Sequence, residues 1–276
     1  MDILKWHNKY SIDIQLVYNS SATRNNYRSS VWLFLNHFKN ELEPKAISNE
    51  KIKLWLLEAQ TINTRKQRLC AINSFYKLTV GMPSKITSIP YPKSEKKLPI
   101  VLSQDEVQAM FTACENLKHK VILALLYSCG LRVSELINLQ WSNLDRSRGI
   151  INIINGKGKK DRQVMLSTDL LPLLEKYYLQ YKPKPYVLQG QFSQQYSATS
   201  VGQVIKQLGK KAGIKKRVWT HQMRHNCFTH MVENGTDINL IQKLAGHSNV
   251  KTTMMYTHIS DALISKIKSP LSNINF

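Results

Sequence analysis

The chain has no run of apolar residues approaching the roughly 20 that a helix needs to cross a bilayer, and its N-terminus lacks the basic-then-apolar layout of a secretory signal. A soluble, cytoplasmic protein with no membrane partner is the expectation. Cysteine is scarce: Cys70, Cys114, Cys129 and Cys227 each stand singly inside apolar patterns. No two of them have the spacing of a zinc site or a disulfide framework, so reduced core thiols are expected. Acidic residues are scarce too, 18 Asp and Glu against 39 Lys and Arg. They form no carboxylate cluster suited to Mg²⁺, and no Cys or His pair suits Zn²⁺. Neither a metal ion nor another cofactor is expected. Internal repeats and low-complexity tracts are lacking as well.

What is abundant is positive charge, +21 in formal terms, and a polyanionic partner is the first inference. Residues 1–97 hold 16 basic and 7 acidic residues and residues 98–276 hold 23 and 11, so charge does not assign the partner to one half. With 276 residues, 42% of them hydrophobic, the chain can bury a substantial core, and about 150 residues per domain suggests two domains.

The clearest break is residues 89–98, where Pro90, Pro92, Lys93, Lys96 and Lys97 crowd a stretch without apolar periodicity and Pro99 follows. It reads as an extended basic linker. The expected layout is an N-terminal domain over 1–89, a linker over 90–98 and a C-terminal domain over 99–276. Helical spacing recurs in 27–38, 52–59 and 69–78, which predicts a small helical bundle before the linker. After it, Ser103 and Glu106 form a capping box, with Leu102 set to staple onto Val107. Further helices are expected over 121–127 and 133–139. Strands over 150–154 and 163–166 flank the glycine-containing basic turn 156–162, a β-hairpin. Helices return at the end: Thr220 is the expected cap of one, Gly235 stops it, Asp237 caps the next, Gly246 stops that, and Ser248 caps the segment containing Tyr256.

Several residues could carry chemistry. His221, Arg224 and His225 share a helix face with Phe228 at spacings of three and four. The plain alternative is a basic face touching solvent or phosphate. Gly246-His247-Ser248 precedes Tyr256, which stands among methionines and would otherwise be core packing. Arg132 and Glu135, one turn apart, would alone be an ordinary intrahelical ion pair. Lys157, between two glycines of the hairpin turn, would alone be a solvated lysine.

In this order, Arg132, Lys157, His221, Arg224, His247 and Tyr256 resemble the active-site set of the tyrosine recombinases, also called the phage-integrase family. The resemblance runs from Leu98 to His258. The region before it is similar to the family's core-binding domain at Thr23, Tyr27, Leu35, Thr64, Leu69, Ala71, Phe75 and Tyr76. The most specific segment is Leu244-Ala245-Gly246-His247-Ser248 with Tyr256 nine residues after His247. The one departure near His221 is Met223 where leucine is usual, a swap that conserves volume.

The resemblance implies a mainly α fold: a helical, SAM-like core-binding domain, then a mainly helical catalytic domain with a small antiparallel β-sheet, the DNA breaking-rejoining enzyme fold. It also implies an enzyme that cleaves and rejoins duplex DNA through a 3′-phosphotyrosyl intermediate. Tyr256 would be the nucleophile, Lys157 the general acid, and His247 a hydrogen-bond donor to phosphate. Physical chemistry agrees. Charge grows on the non-bridging oxygens of an attacked phosphodiester, which the planar forks of Arg132 and Arg224 suit. A phenol with an ordinary pKa near 10 needs a proton acceptor, and His221 is the best placed candidate. Glu135 would organise Arg132, and His225 would support the pocket. Lys93, Lys96, Lys97, Arg65, Lys66, Arg68, Lys159, Lys160 and Arg162 are the expected DNA contacts.

The partners implied are double-stranded target sites and three further copies of the chain, a homotetramer on two duplexes assembling from monomers. The tail 261–276 is a candidate anchor between subunits, through Ile264, Ile267 and Leu271, with a helix folded back on its own domain as the equal alternative. There is little room before residue 20 for an added arm-binding domain, so a simple, Xer-like or mobile-element enzyme fits best. A type IB topoisomerase and a non-catalytic architectural DNA-binding protein are the alternatives.

Overall fold

Side-chain caps start each helix of the first half. In the computed structural model, which describes residues 1–93, 99–154, 161–247 and 249–256, Asp2 accepts from the Lys5 amide at the head of α1 (Ile3–Val17). Ser20 does the same for α2 (Ser21–His37), Ser48 for α3 (Asn49–Leu57) and Thr61 for α4 (Ile62–Phe75). Each cap satisfies an amide that has no partner within its own helix. The chain divides into two compact units, Met1–Lys96 and Lys97–Phe276.

The first unit is built on aromatic rings. Phe34 meets Phe38, Trp55, Phe75 and Tyr76 edge-on, at centroid distances of 5.1 to 6.4 Å, a geometry that the ring quadrupoles favour. Three of its helices lie where the periodicity predicts. Helix α1 was not expected, because its apolar residues form no stripe: Tyr10 and Ile14 are buried while Leu4, Ile12 and Leu16 are 63, 65 and 85% exposed.

The second unit begins with α5 (Gln104–Thr112), whose capping box joins Ser103 and Glu106 reciprocally. Leu102 and Val107 are buried in the same core. Helix α6 (Leu117–Ser128) is buried from Val121 to Leu126 and forms the centre of the unit. Then come α7 (Val133–Ile137) and three antiparallel strands in sequence order, β1 (Leu144–Asp145), β2 (Ile150–Ile153) and β3 (Arg162–Met165). The hairpin is the expected one, with a short third strand added. Ile151, Ile153 and Val164 turn into the core, and the last ladder pair before the turn is Ile153 with Arg162.

Helices α8 (Leu171–Tyr181), α9 (Ala198–Lys211), α10 (Thr220–Glu233), α11 (Ile238–Ala245) and α12 (Val250–Met254) complete the unit. Asp237 caps α11 and Gly246, at φ 61°, ends it, as the sequence suggests. Thr220 is the first residue of α10 rather than its cap; that place belongs to Trp219, whose amide donates to Gln222 Oε1. Tyr256 follows the end of α12 instead of lying inside it. All four thiols are free, and Cys114, Cys129 and Cys227 are buried. No helix among the described residues is long and apolar enough to cross a membrane.

Candidate active site

Helix α10 supplies the site's central arginine. Arg224 is 1% exposed, its guanidinium lying over the Phe228 ring at 4.8 Å. It donates to two main-chain carbonyls, Gly130 O and Ala245 O, each at 2.5 Å. Gly130 permits this approach: its φ is 57°, and a Cβ there would stand 2.7 Å from Phe228 Cζ. Burial, reinforced by Arg132 and Arg162, lowers the guanidinium pKa to about 10, which leaves it charged at neutral pH.

Arg132 occupies the N-terminal boundary of α7 in extended conformation, so its side chain and its amide both reach Glu135. The amide donates to Oε2 at 2.8 Å and Nη1 to Oε1 at 2.7 Å, while Nη2 reaches Ala245 O at 3.1 Å. Arg162 approaches the same carboxylate, with Nη2 at 2.6 Å from Oε2, and also donates to Leu244 O. Burial of Glu135 alone would raise its pKa. The bonds from Arg162 and Arg132 outweigh that and hold the carboxyl below its usual range.

Two guanidiniums, those of Arg132 and Arg162, therefore share one carboxylate, and all three arginines reach the last two carbonyls of α11. Those carbonyls lie at the negative end of the helix dipole and have no acceptor role within the helix. One carboxylate does not neutralise three arginines, and the excess charge suits a phosphate.

Tyr256 packs beside this cluster, 1% exposed. Its ring stacks on His247 at 6.2 Å and 18° and meets Phe228 at 5.6 Å and His225 at 5.8 Å. Burial pushes its phenol up to about 12, against the pull of Arg224. His247 Nδ1 lies 3.0 Å from Thr253 Oγ1, whose residue is fully buried. Burial and the three arginines lower the His247 pKa to about 4. Burial with His221 and Arg224 lowers that of His225 equally, and His225 Nδ1 has no hydrogen-bond partner among the described residues. The exposed His221 ring stands 4.7 Å from that of His225.

The structure thus brings together Arg132, Glu135, His221, Arg224, His225, His247 and Tyr256. Lys157, Lys159 and Lys160, the linker lysines Lys96 and Lys97, the cap Ser248 and the tail lie outside the described residues. Of the expected DNA contacts, Lys93 is exposed and Lys66 lies over Tyr91 at 5.4 Å. Arg65 and Arg68 are half-buried and donate to Leu56 O and Trp55 O. Arg162 is placed unlike a surface contact, its side chain 8% exposed and bonded inside the protein.

The sequence reading missed the opposite face of α10. There Gln222 donates to Ile100 O, Asn226 Oδ1 accepts from the Leu102 amide, and His230 Nε2 lies 2.9 Å from Leu102 O. His230 Nδ1 is 2.7 Å from Tyr127 Oη. Leu102 O can only accept, so Nε2 carries the proton and Nδ1 accepts from the phenol. The spacing of four residues between each of these side chains was the available signal.

Comparison with known proteins places this geometry. Residues 101–262 match the phage integrase family. The tyrosine recombinase XerD of Oceanobacillus iheyensis is 32% identical over 270 residues, covering 88% of this chain and 89% of that protein. Tyrosine recombinase XerA of Pyrococcus horikoshii is 38% identical over 194 residues, covering 69% and 67%. A crystal structure of XerA recombinase matches over 96% of this chain and 97% of its own, at 29% identity and a TM-score of 0.57. A lambda integrase dimer bound to a COC′ core site, 16% identical over 91% and 97%, shares the fold at a TM-score of 0.76. These relatives favour recombination over the topoisomerase and architectural alternatives. The chain belongs to the phage integrase family and is a tyrosine site-specific recombinase of the Xer-like type.

Proposed function

We propose that the chain cuts each DNA strand by attack of the Tyr256 phenol oxygen on the scissile phosphorus, forming a 3′-phosphotyrosyl ester and releasing a 5′ hydroxyl. The observation that carries this is the arginine cluster with its excess positive charge, standing beside a tyrosine enclosed by three ring side chains. Arg132 and Arg224 hold the non-bridging oxygens of the phosphate, stabilising charge as it grows. With its phenol raised to about 12, Tyr256 needs a base to take the proton as it attacks. His221 has that role, exposed to solvent at the mouth of the site. His225 backs it through their ring contact, and the neutral His247 donates a hydrogen bond to the phosphate. Lys157 gives the departing 5′ oxygen its proton. The phosphotyrosyl ester retains the energy of the broken bond, so a 5′ hydroxyl from a partner strand reseals it without ATP.

The unit Met1–Lys96 serves as the core-binding domain on the duplex, and monomers assemble into a tetramer on two duplexes. Solved relatives include a lambda integrase tetramer bound to a Holliday junction, which supports that stoichiometry. The enzyme acts in the cytoplasm, on nucleoid DNA.

The test uses a nicked suicide duplex carrying a candidate target site, incubated with the protein in EDTA and run on a denaturing gel. A covalent protein–DNA band is expected with the wild type and none with Tyr256→Phe. DNA binding without a band on any site, including fragments flanking the protein's own gene, rejects the covalent mechanism.

A further inference from the structure

Arg162 is the basic residue whose placement the mechanism above does not use. Its main chain pairs with Ile153 at the last rung of the β2–β3 ladder, and the turn between these two residues carries Lys157 in sequence. From that rung its side chain crosses to two other elements. It bonds Glu135 of α7 through Nη2 at 2.6 Å and through Nε at 3.4 Å, and it donates from Nη1 to Leu244 O at the end of α11.

Its stem is fixed as firmly as its head. Gly246 leaves room for Cδ: a Cβ on that glycine would stand 2.7 Å from Arg162 Cδ and 3.4 Å from Nε. All three guanidinium nitrogens are engaged within the protein, and the side chain is 8% exposed. A DNA contact on the exposed surface needs neither feature, and Arg162 is not among the charges that act on the Tyr256 phenol, as the buried Arg224 and the half-buried Arg132 are. A bidentate fork does need both features when it must hold three elements in one register.

We propose that Arg162 is a positioning residue for strand cleavage, tying the base of the lysine-bearing hairpin to Glu135 and to the end of α11 that precedes His247. The inference rests on the recombinase reading of this site. Through Glu135, Arg162 shares a carboxylate with Arg132. The hairpin and the phosphate-binding arginine are thereby indexed to one another, and proton delivery to the leaving oxygen depends on that alignment.

The experiment measures single-turnover cleavage of two suicide duplexes, one ordinary and one with sulfur replacing the bridging 5′ oxygen of the scissile phosphate. A thiolate leaves without needing a proton. On the ordinary duplex Arg162→Gln is expected to cut about 100-fold more slowly, the scale on which misalignment acts. DNA affinity and its salt dependence should stay at wild-type values, and the sulfur duplex should restore most of the rate. Arg162→Lys keeps one charge on Glu135 but cannot also reach Leu244 O. It should show a smaller loss, recovered in the same way, and it serves where the Gln variant does not fold. A salt dependence reduced by one phosphate contact marks Arg162 as a DNA contact and overturns the proposal. So does an unchanged rate, or a loss that sulfur does not repair. Should the wild type cut neither duplex, the recombinase reading itself fails, an outcome distinct from all of these.

Discussion

Helix α10 carries polar side chains on two nearly opposite faces, and the two are built on different principles. On one face Arg224, His225 and Phe228 set a buried charge and two tilted rings beside Tyr256, and His221 meets the His225 ring edge-on. On the other, Gln222, Asn226 and His230 take up the main chain at Ile100 and Leu102, at the start of the second unit. The second face consists of neutral groups that bond the main chain or the Tyr127 phenol, an arrangement that fixes a position, although Asn226 Nδ2 has no hydrogen-bond partner among the described residues. The first keeps positive charge in excess of its carboxylate. In the proposed function such a face is held in place by the rest of the fold and is completed by the phosphate. Helix α10 is anchored from behind by its bonds to Ile100 and Leu102, which leaves its front face to the proposed chemistry.

Substitution separates the two faces. The largest effect is expected at Arg224, where Arg224→Gln should slow cleavage by about 10²–10³-fold, the cost of removing one oriented donor to a developing oxyanion. Arg224→Lys should rescue little, because one ammonium cannot replace a planar fork. Single-turnover assays on folded protein measure both. On the back face, Asn226→Ala strands the Leu102 amide and should cost about 1–3 kcal/mol of stability. Below its unfolding transition the variant should still cut at the wild-type rate. If it cuts as poorly as Arg224→Gln while remaining folded, the division between the faces is wrong. Gly246→Ala is expected to cost about 1–2 kcal/mol in denaturant melts, since an L-residue at φ 61° is strained and the added methyl presses on Arg162.

The two faces were unequally legible in the sequence. His221, Arg224, His225, His247 and Tyr256 stand out because unusual residue types occur at fixed spacings. Gln222, Asn226 and His230 do not, since amides at a helical spacing read as an ordinary solvated surface until Leu102 is known to lie against them. Arg162 lies in a basic turn, and composition alone made it a DNA contact. Its partners within the protein stand 27 and 82 residues away, and only the register of β3 and the end of α11 bring them together. Helix α1 was hidden for another reason: Leu4, Ile12 and Leu16 remain exposed, which blurs the apolar stripe. Residues that announce chemistry by type were readable, whereas those that act through long-range pairing were not.

The last expected effect vanishes at neutral pH and appears only on the acid side, where it tests the electrostatics of the front face. His225 and His247 have pKa values lowered to about 4 in the folded protein, chiefly by burial and then by the charged groups around them. In the unfolded chain each takes up a proton near the ordinary value of about 6.5. Between these values the unfolded state binds more protons, so their contribution to stability is complete above about pH 6.5 and declines as pH falls toward about 4. His230, also lowered by burial, acts in the same direction from the back face. Wild-type melts alone therefore do not separate the faces, but substitution does. His225→Gln and His247→Gln should each flatten the acid-side fall of the unfolding midpoint while leaving its neutral-pH plateau nearly level. An acid-side slope unchanged by both substitutions would mean that these rings take up their protons at the same pH in the folded and unfolded chains. The arginine cluster would then lack the electrostatic dominance on which the phosphate assignment depends.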